Sequence, residues 1–339
     1  MIELTTPRGL PVNVPETIEE DPSPRFTVSQ ASRAIDYYHE HGYVILSGVL
    51  AGEHCDRIRA LWEQEVKPNP GFMYRQATAK AEKHVKNNQG WIMNPILNLQ
   101  SVDPVQFPQF RDYATTKVLA NQNLTGFFGE LFGEQPLIVQ SMYFEGNSAT
   151  WEHQDSYYLD SEQVGTMSAA WIAIEDIEAT AGRFFICPGS HKIRMTEHST
   201  ANSIADHHDD YILSVVQEIQ QRQLDIRAPY LRKGDVLFWN SLTIHGSLNS
   251  QDLNHSRSSI TCHVIPKSHK FLQLQTRIMA LPSDDMGSVA VFRPKDLARL
   301  KNRLILSIEG NFPALFYWLK RQAIRYVVSR KANSTTAQA

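Results

Sequence analysis

The chain has 339 residues and 42% hydrophobic content, enough for one sizeable core or two smaller ones. Its net charge of −3 argues against nucleic acid as the main partner, and three scattered cysteines (Cys55, Cys187, Cys262) form neither a disulfide framework nor a zinc-ligand spacing. The opening MIELTTPRGL lacks a basic start followed by an apolar stretch, and no apolar run approaches a membrane span, so the expectation is a reduced cytoplasmic protein.

Residues 1–25, with ETIEEDPSP, read as a poorly packed arm. A helix is predicted over 29–42, where Ala31, Ala34, Ile35 and Tyr38 recur at helical spacing and Gly42 is the stop. YVIL at 43–46 is a short buried strand, and Cys55, Ile58, Leu61, Trp62 and Val66 mark the stripe of a second helix. Residues 68–110 lack sustained periodicity and are rich in Pro, Asn, Gln and aromatics, which reads as a lid loop. Helix returns over 118–133 and ends in FFGELF.

From Pro136 the texture changes to short β-rich runs separated by turns: LIVQSMYF, MSAAWIAIED, RFFIC, DVLFW, SITCHVI and FLQLQ. The expected fold is mainly β with flanking helices, a sandwich or barrel of the jelly-roll kind. One amphipathic helix interrupts it, with Ile212, Val215, Val216, Ile219 and Leu224 on one face. The main domain is therefore expected over 26–285, with a helical, basic extension over 286–339. Residues 293–331 hold ten Lys/Arg against two Asp/Glu, a local +8 that leaves the remainder at −11. A basic tail resting on an acidic body is preferred over an anionic partner or membrane surface. Within it, Phe312, Leu315, Phe316, Leu319, Ala323, Tyr326 and Val327 share a helical face. That face is expected to pack on the domain, with dimerisation second and membrane binding a distant third; monomer and homodimer both stay open.

The chemistry is concentrated in WEHQDSYY, TIHGS and HSRSS. His153 and Asp155 flank one residue, so on an extended strand both side chains face the same way. The same spacing recurs in His207 with Asp209 and His208 with Asp210, but ADHHDDY directly precedes the amphipathic helix and reads as a solvated helix cap. For a third ligand His191, His245, His255 and His263 compete. His245 gains from context, because GDVLFWNSLTIHGS is a turn, a strand and a polar bend that delivers it. His263 reads more readily as a core histidine. Two imidazoles and one carboxylate leave part of an iron(II) coordination sphere open. Arg257, twelve residues past His245, offers a planar guanidinium suited to the far carboxylate of 2-oxoglutarate, and Ser247 can donate to the same carboxylate. The residues read as an oxygenase that uses iron(II), 2-oxoglutarate and oxygen on a small molecule.

With these residues in place, the chain resembles the phytanoyl-CoA dioxygenase family, whose members include ectoine hydroxylase. The resemblance covers about residues 26–266 and runs through HGYVILSGVL, the HQD motif, WIAIEDIEATAGRFFICPGSHK, GDVLFWNSLTIHGS and RSSITCHVIP. It implies a double-stranded β-helix (jelly-roll, cupin-like) core, iron on His153, Asp155 and His245, and 2-oxoglutarate on Arg257 and Ser247 with Gln140 as a further contact. It also implies hydroxylation of an unactivated C–H bond, in a biosynthetic intermediate or amino-acid-like compound, coupled to decarboxylation of 2-oxoglutarate to succinate. Desaturation, epoxidation or oxidative removal of a substituent are alternative outcomes of that chemistry. A non-catalytic binding member of the fold, or a cupin without 2-oxoglutarate, would be the readings from other classes; the complete residue set counts against both.

Two departures stand out. The arginine lies one residue farther from the distal histidine than in relatives, which calls for a one-residue bulge. Gly182-Arg183-Phe184-Phe185 replaces a Gly followed by a small or aliphatic pair. Related halogenases carry a small residue where Asp155 stands, so halogenation is not expected. Pocket candidates are Trp151, Tyr157, Tyr158, Trp171, Arg183 and His191, although each also reads as packing. Arg183, a cation between apolar neighbours, is expected to have an anionic partner.

Overall fold

The structure is a computed structural model that describes residues 1–146, 149–195 and 207–336; within the last stretch the side chains of Ile324 and of 326–336 are outside the description. Helix α1 (Ala31–His41) buries Ala34 and Tyr38, one turn apart, and closes on Gly42 at φ 76°. A side chain at Gly42 would be strained in that left-handed conformation and would also run into the His191 ring. Strand β1 (Tyr43–Ser47) follows, then α2 (Gly52–Leu61), whose apolar stripe continues through a wider turn over Trp62–Val66. Helices α3 (Pro108–Tyr113) and α4 (Gln122–Phe132) complete one layer; the Asn121 side chain caps α4 by accepting from the Asn123 and Leu124 amides.

The strands that carry the site are β2 (Pro136–Phe144), β3 (Thr150–His153), β4 (Ser168–Ala173), β5 (Phe184–Ile186), β6 (Val236–Asn240), β7 (His245–Ser247) and β8 (Ser259–Pro266), with helix α5 (His208–Gln221) between β5 and β6. In the large sheet β2, β8, β4, β6 and β1 are successive antiparallel neighbours. A smaller antiparallel sheet has the order β5–β7–β3.

Two-residue alternation decides what each face of the large sheet meets. Val44, Leu46, Ala170, Ile172, Val236, Phe238, Ile260 and Cys262 pack against the helical layer. Tyr43, Ile45, Trp171, Leu237 and Trp239 point the other way, toward Phe184 and Ile186 of the smaller sheet. The space between the two sheets holds the site.

Three expectations change. The first 25 residues are not a loose arm: Ile2–Thr5 and Pro11–Val14 form an antiparallel hairpin whose Val12 and Val14 pack on Phe185 and Leu248. Residues 68–110 are not a detached lid. Met73, Ile92, Ile96, Leu99, Phe107 and Phe110 belong to the main core, and Ile96–Leu97 is hydrogen-bonded to β2. Finally, helices α6 (Leu300–Asn311) and α7 (Pro313–Thr336) do touch the domain, α6 through Arg303 to Asp103 and buried Glu309 to the Ala81 amide, and α7 through Tyr317 beneath Lys80. The face expected to pack is nevertheless uncovered at Phe312, Leu315 and Leu319, while Tyr326 and Val327 lie outside the described side chains.

Arg183 explains part of the arm's order. Its Nε donates to the Ile177 carbonyl at 2.9 Å, its Nη1 donates to the Pro15 carbonyl, and its guanidinium lies over the Tyr230 ring at 4.7 Å. The anionic partner expected from sequence is replaced by backbone carbonyls, and the side chain is turned away from the intersheet space. Burial pulls its pKa down to about 10, leaving it charged at neutral pH. Arg183→Ala should cost about 2 kcal/mol, because it leaves a void and strips two carbonyls of their donor. Urea unfolding measures this, and an unchanged midpoint would refute the role.

Candidate functional site

Strands β3 and β7 are neighbours, and their register sets His153 opposite His245, with the rings 4.3 Å apart. Such an approach requires Gly246, where a Cβ would sit 2.5 Å from the Thr150 carbonyl oxygen. Gln154 keeps the chain extended, and Asp155 opens a short turn, Asp155–Tyr157. Its carboxylate thereby comes between the imidazoles, with Oδ1 3.6 Å from Nε2 of His153 and of His245. Ligand atoms of the three residues all lie within 4.8 Å of one another.

The surroundings aim these groups. Nδ1 of His153 lies 2.8 Å from the Trp151 carbonyl and Nδ1 of His245 lies 2.9 Å from that of Thr243. A carbonyl only accepts, so the proton sits on Nδ1 and each Nε2 keeps its lone pair toward Asp155. Trp239 Nε1 donates to Asp155 Oδ2 at 2.8 Å, and His263 Nε2 stands 3.3 Å from the same oxygen. Oδ1 is left facing the two histidines. Burial alone would raise the Asp155 pKa, but the imidazoles around it, His245 first and then His263 and His153, outweigh burial and hold the carboxyl well below its usual range. Burial pushes His245 down to about 3. An anionic Asp155 and a neutral His245 are protonation states a metal requires.

Arg257 precedes β8 and is fixed by its neighbours. Its amide donates to the Glu145 carbonyl at 2.7 Å, and Glu175 accepts from Ser256 Oγ at 2.6 Å and from the Ser258 amide at 2.5 Å. Its Nη1 reaches across to the Gly182 carbonyl at 3.0 Å, just before β5, whose Phe184 pairs with Ser247. The guanidinium lies 5.4 Å from the Phe144 ring and 5.9 Å from that of Trp171. Its Nε is buried with no hydrogen-bond partner among the described residues, and burial lowers its pKa to about 9. This is a buried cation with a donor still to use. Gln140 lies opposite His263 in the β2–β8 ladder, on the same face of the sheet. The pairing of β3 with β7 shifts register between His245 and Ser247, and an irregular stretch, 248–258, carries the chain on to Arg257.

The pocket candidates divide. Tyr158 stands beside His153, with ring centroids 5.7 Å apart, and Trp151 is partly exposed near it. Trp171 backs Arg257. Tyr157 is core, stacked on Tyr211 at 3.7 Å. His191 is directed away from the site: its Nε2 donates to the His39 carbonyl at 3.0 Å, under the end of α1.

Trp239 was not singled out from sequence, and His208 was misjudged. Trp239 shares the inward parity of Leu237, a signal that DVLFW already carried. His263, read more readily as a core histidine, is buried with its Nε2 turned toward Asp155. His208, read as a solvated cap, is at the start of α5 with Nε2 2.8 Å from the Tyr158 hydroxyl and its ring 5.1 Å from that of Trp151. His207 and Asp209 do face solvent. We expect His208→Ala to cost about 1 kcal/mol of stability by releasing Tyr158, and to change Trp151 fluorescence. His207→Ala should stay within about 0.5 kcal/mol. Chemical denaturation followed by tryptophan emission compares the two directly, and equal effects would contradict the contact.

The family model described as phytanoyl-CoA dioxygenase (PhyH) matches residues 38–257. A mouse (Mus musculus) relative, "Phytanoyl-CoA dioxygenase, peroxisomal", is 23% identical over 235 residues, which are 67% of this chain and 66%, just under two thirds, of that protein. Among solved structures, EctD from S. alaskensis with 2-oxoglutarate and 5-hydroxyectoine has a TM-score of 0.54 at 17% identity, covering 88% of this chain and 94% of the other. The non-heme alpha ketoglutarate dependent carbocyclase SnoK from nogalamycin biosynthesis has a TM-score of 0.54 at 18% identity, covering 74% and 90%. At such identities the likeness to the solved structures is one of fold.

Proposed function

This chain belongs to the phytanoyl-CoA dioxygenase family, and from that premise we propose that it is an iron(II)- and 2-oxoglutarate-dependent oxygenase that hydroxylates a C–H bond of a small molecule. The two facing sheets are read as a double-stranded β-helix. The observation that carries the proposal is the conjunction of two features. His153, Asp155 and His245 form a one-sided ligand set, and the Arg257 guanidinium is buried close by with an unpaired Nε.

The residues fit both groups. Two neutral imidazoles and a carboxylate suit iron(II) and leave positions open for further ligands. A dicarboxylate needs a second anchor, and Arg257 would give its distal carboxylate a charge-assisted, two-pronged grip, with Ser247 and Gln140 as the proposed further donors. Iron(II) with 2-oxoglutarate and oxygen would supply the oxidant for C–H hydroxylation, with succinate and carbon dioxide as coproducts.

The chain's own part is to orient and to exclude water. Trp239 holds Oδ2 of Asp155 by its indole N–H, with His263 beside it, so Oδ1 keeps one direction. Phe184 and Trp239 pack on the His245 ring at 5.3 and 5.1 Å, forming a dry wall on one side. Tyr158, hydrogen-bonded to His208, stands beside His153 and is the proposed contact for the substrate. Asp155 fills the position that a halide would need, so hydroxylation is favoured over halogenation; desaturation or epoxidation would require only a different substrate pose.

The direct test is succinate release by the purified protein supplied with iron(II), ascorbate and 2-oxoglutarate, with and without chelator. Slow, iron-dependent succinate release that requires 2-oxoglutarate is expected even without the organic substrate. A protein that binds both ligands yet releases none would be a binding member of the fold. One that consumes oxygen without 2-oxoglutarate would be a different cupin chemistry.

A further inference from the structure

The polar and apolar side chains of α6 and α7 combine into a surface that the site does not explain. Leu300, Leu304, Ile308 and Phe312 follow at intervals of four residues, each between 45% and 64% exposed. On α7, Leu315 and Leu319 extend the row, and Trp318 stands beside them, half exposed. An apolar row of that length on one side of a helical pair is not ordinary surface scatter.

The charges around it have one sign. Both acids of residues 293–331 are consumed internally: Asp296 pairs with Arg111 at 2.9 Å, and buried Glu309 accepts from Tyr317 Oη at 2.6 Å and from the Ala81 amide. On the cationic side Arg293 pairs with Asp284 and Arg303 with Asp103. Arg299, Lys301, Lys320, Arg321 and Arg325 remain exposed, with no salt bridge to a carboxylate among the described residues. These five cations are therefore presented outward, along with the apolar row.

We propose that α6 and α7 form a docking surface for an anionic lipid bilayer, lying in the interfacial plane with Phe312, Leu315 and Trp318 in the headgroup region. Charge decides the occupant. A twofold contact with a second copy would set this face against itself, cations against cations. An anionic membrane meets both features, since apolar and aromatic side chains enter the boundary while lysine and arginine pair with phosphate. The contact is peripheral, because no helix among the described residues is long and apolar enough to cross a membrane. It reverses the order of expectations from sequence, in which packing came first and a membrane last.

Co-sedimentation of the full chain with vesicles tests this. Binding is expected to phosphatidylcholine mixed with phosphatidylglycerol, weakening as salt rises, and not to phosphatidylcholine alone. Trp318 emission should shift to the blue on binding. Leu315→Ser with Trp318→Ser should weaken binding about ten-fold or more, and Lys320→Glu with Arg321→Glu by roughly five-fold per charge. These positions are exposed, so the variants should keep the wild-type circular dichroism spectrum and melting temperature. Two results would overturn the proposal: a protein that stays in the supernatant with anionic vesicles, or a dimer in light scattering that Leu315→Ser with Trp318→Ser abolishes, which would assign the face to a second copy.

Discussion

Alanine at His153, Asp155 or His245 is expected to lower iron-dependent succinate formation more than about 100-fold in each case, while the circular dichroism spectrum stays that of the wild type. The three positions should differ in stability. His153→Ala and His245→Ala each free one carbonyl, of Trp151 in an edge strand or of Thr243 in the turn before β7. Asp155→Ala does more. It leaves the buried Trp239 indole without its acceptor and removes the one carboxylate that faces His153, His245 and His263. An unsatisfied buried donor costs about 1–3 kcal/mol, so Asp155→Ala should be the least stable of the set. Metal titration of the apoprotein gives a reading independent of turnover, and all three variants should bind iron(II) much more weakly. Retained activity in His153→Ala, with loss in His207→Ala, would move the centre to the other His-x-Asp pair.

The strands that build this centre are legible in sequence because alternation is a local property. DVLFW sends Val236 and Phe238 to the helices and Leu237 and Trp239 inward, and SITCHVI behaves the same way. The metal ligands are legible because their chemistry and order are distinctive. What escaped depended on contacts distant in sequence. Val12 and Val14 alternate as a strand should, but their burial rests on Phe185 and Leu248. Residues 68–110 enter the core by single side chains such as Ile92, Ile96 and Phe110, so no period betrays them. The partners of Arg183 are backbone carbonyls, which sequence does not display. His208 looked like a cap because the cap and the contact to Tyr158 use the same residue; only the placement of α5 against β3 reveals the second role.

Arg257→Leu is expected to separate stability from function. The wild-type guanidinium is buried, charged, and bonded to one carbonyl, with its Nε unpaired among the described residues. Burying a cation on those terms is costly, and a shorter apolar side chain that leaves no charge between Phe144 and Trp171 removes the cost. The apoprotein should therefore become about 1–2 kcal/mol more stable. The same change deletes the proposed anchor for the distal carboxylate, and losing a charge-assisted, desolvated pair should weaken 2-oxoglutarate binding roughly 100-fold or more. Arg257→Lys should fall between, keeping charge while losing the planar fork. Iron(II) affinity should change little in either variant, because Arg257 makes no contact with His153, Asp155 or His245 in this structure. Melting curves with and without 2-oxoglutarate read both quantities together: ligand raises the wild-type midpoint, and the rise should vanish in Arg257→Leu although its ligand-free midpoint is higher. If the variant retained the full ligand-induced rise, the carboxylate would be held elsewhere. If the variant were instead less stable without ligand, the bond to Gly182 would outweigh the cost of burial, and the arginine would be a structural tie between the two sheets.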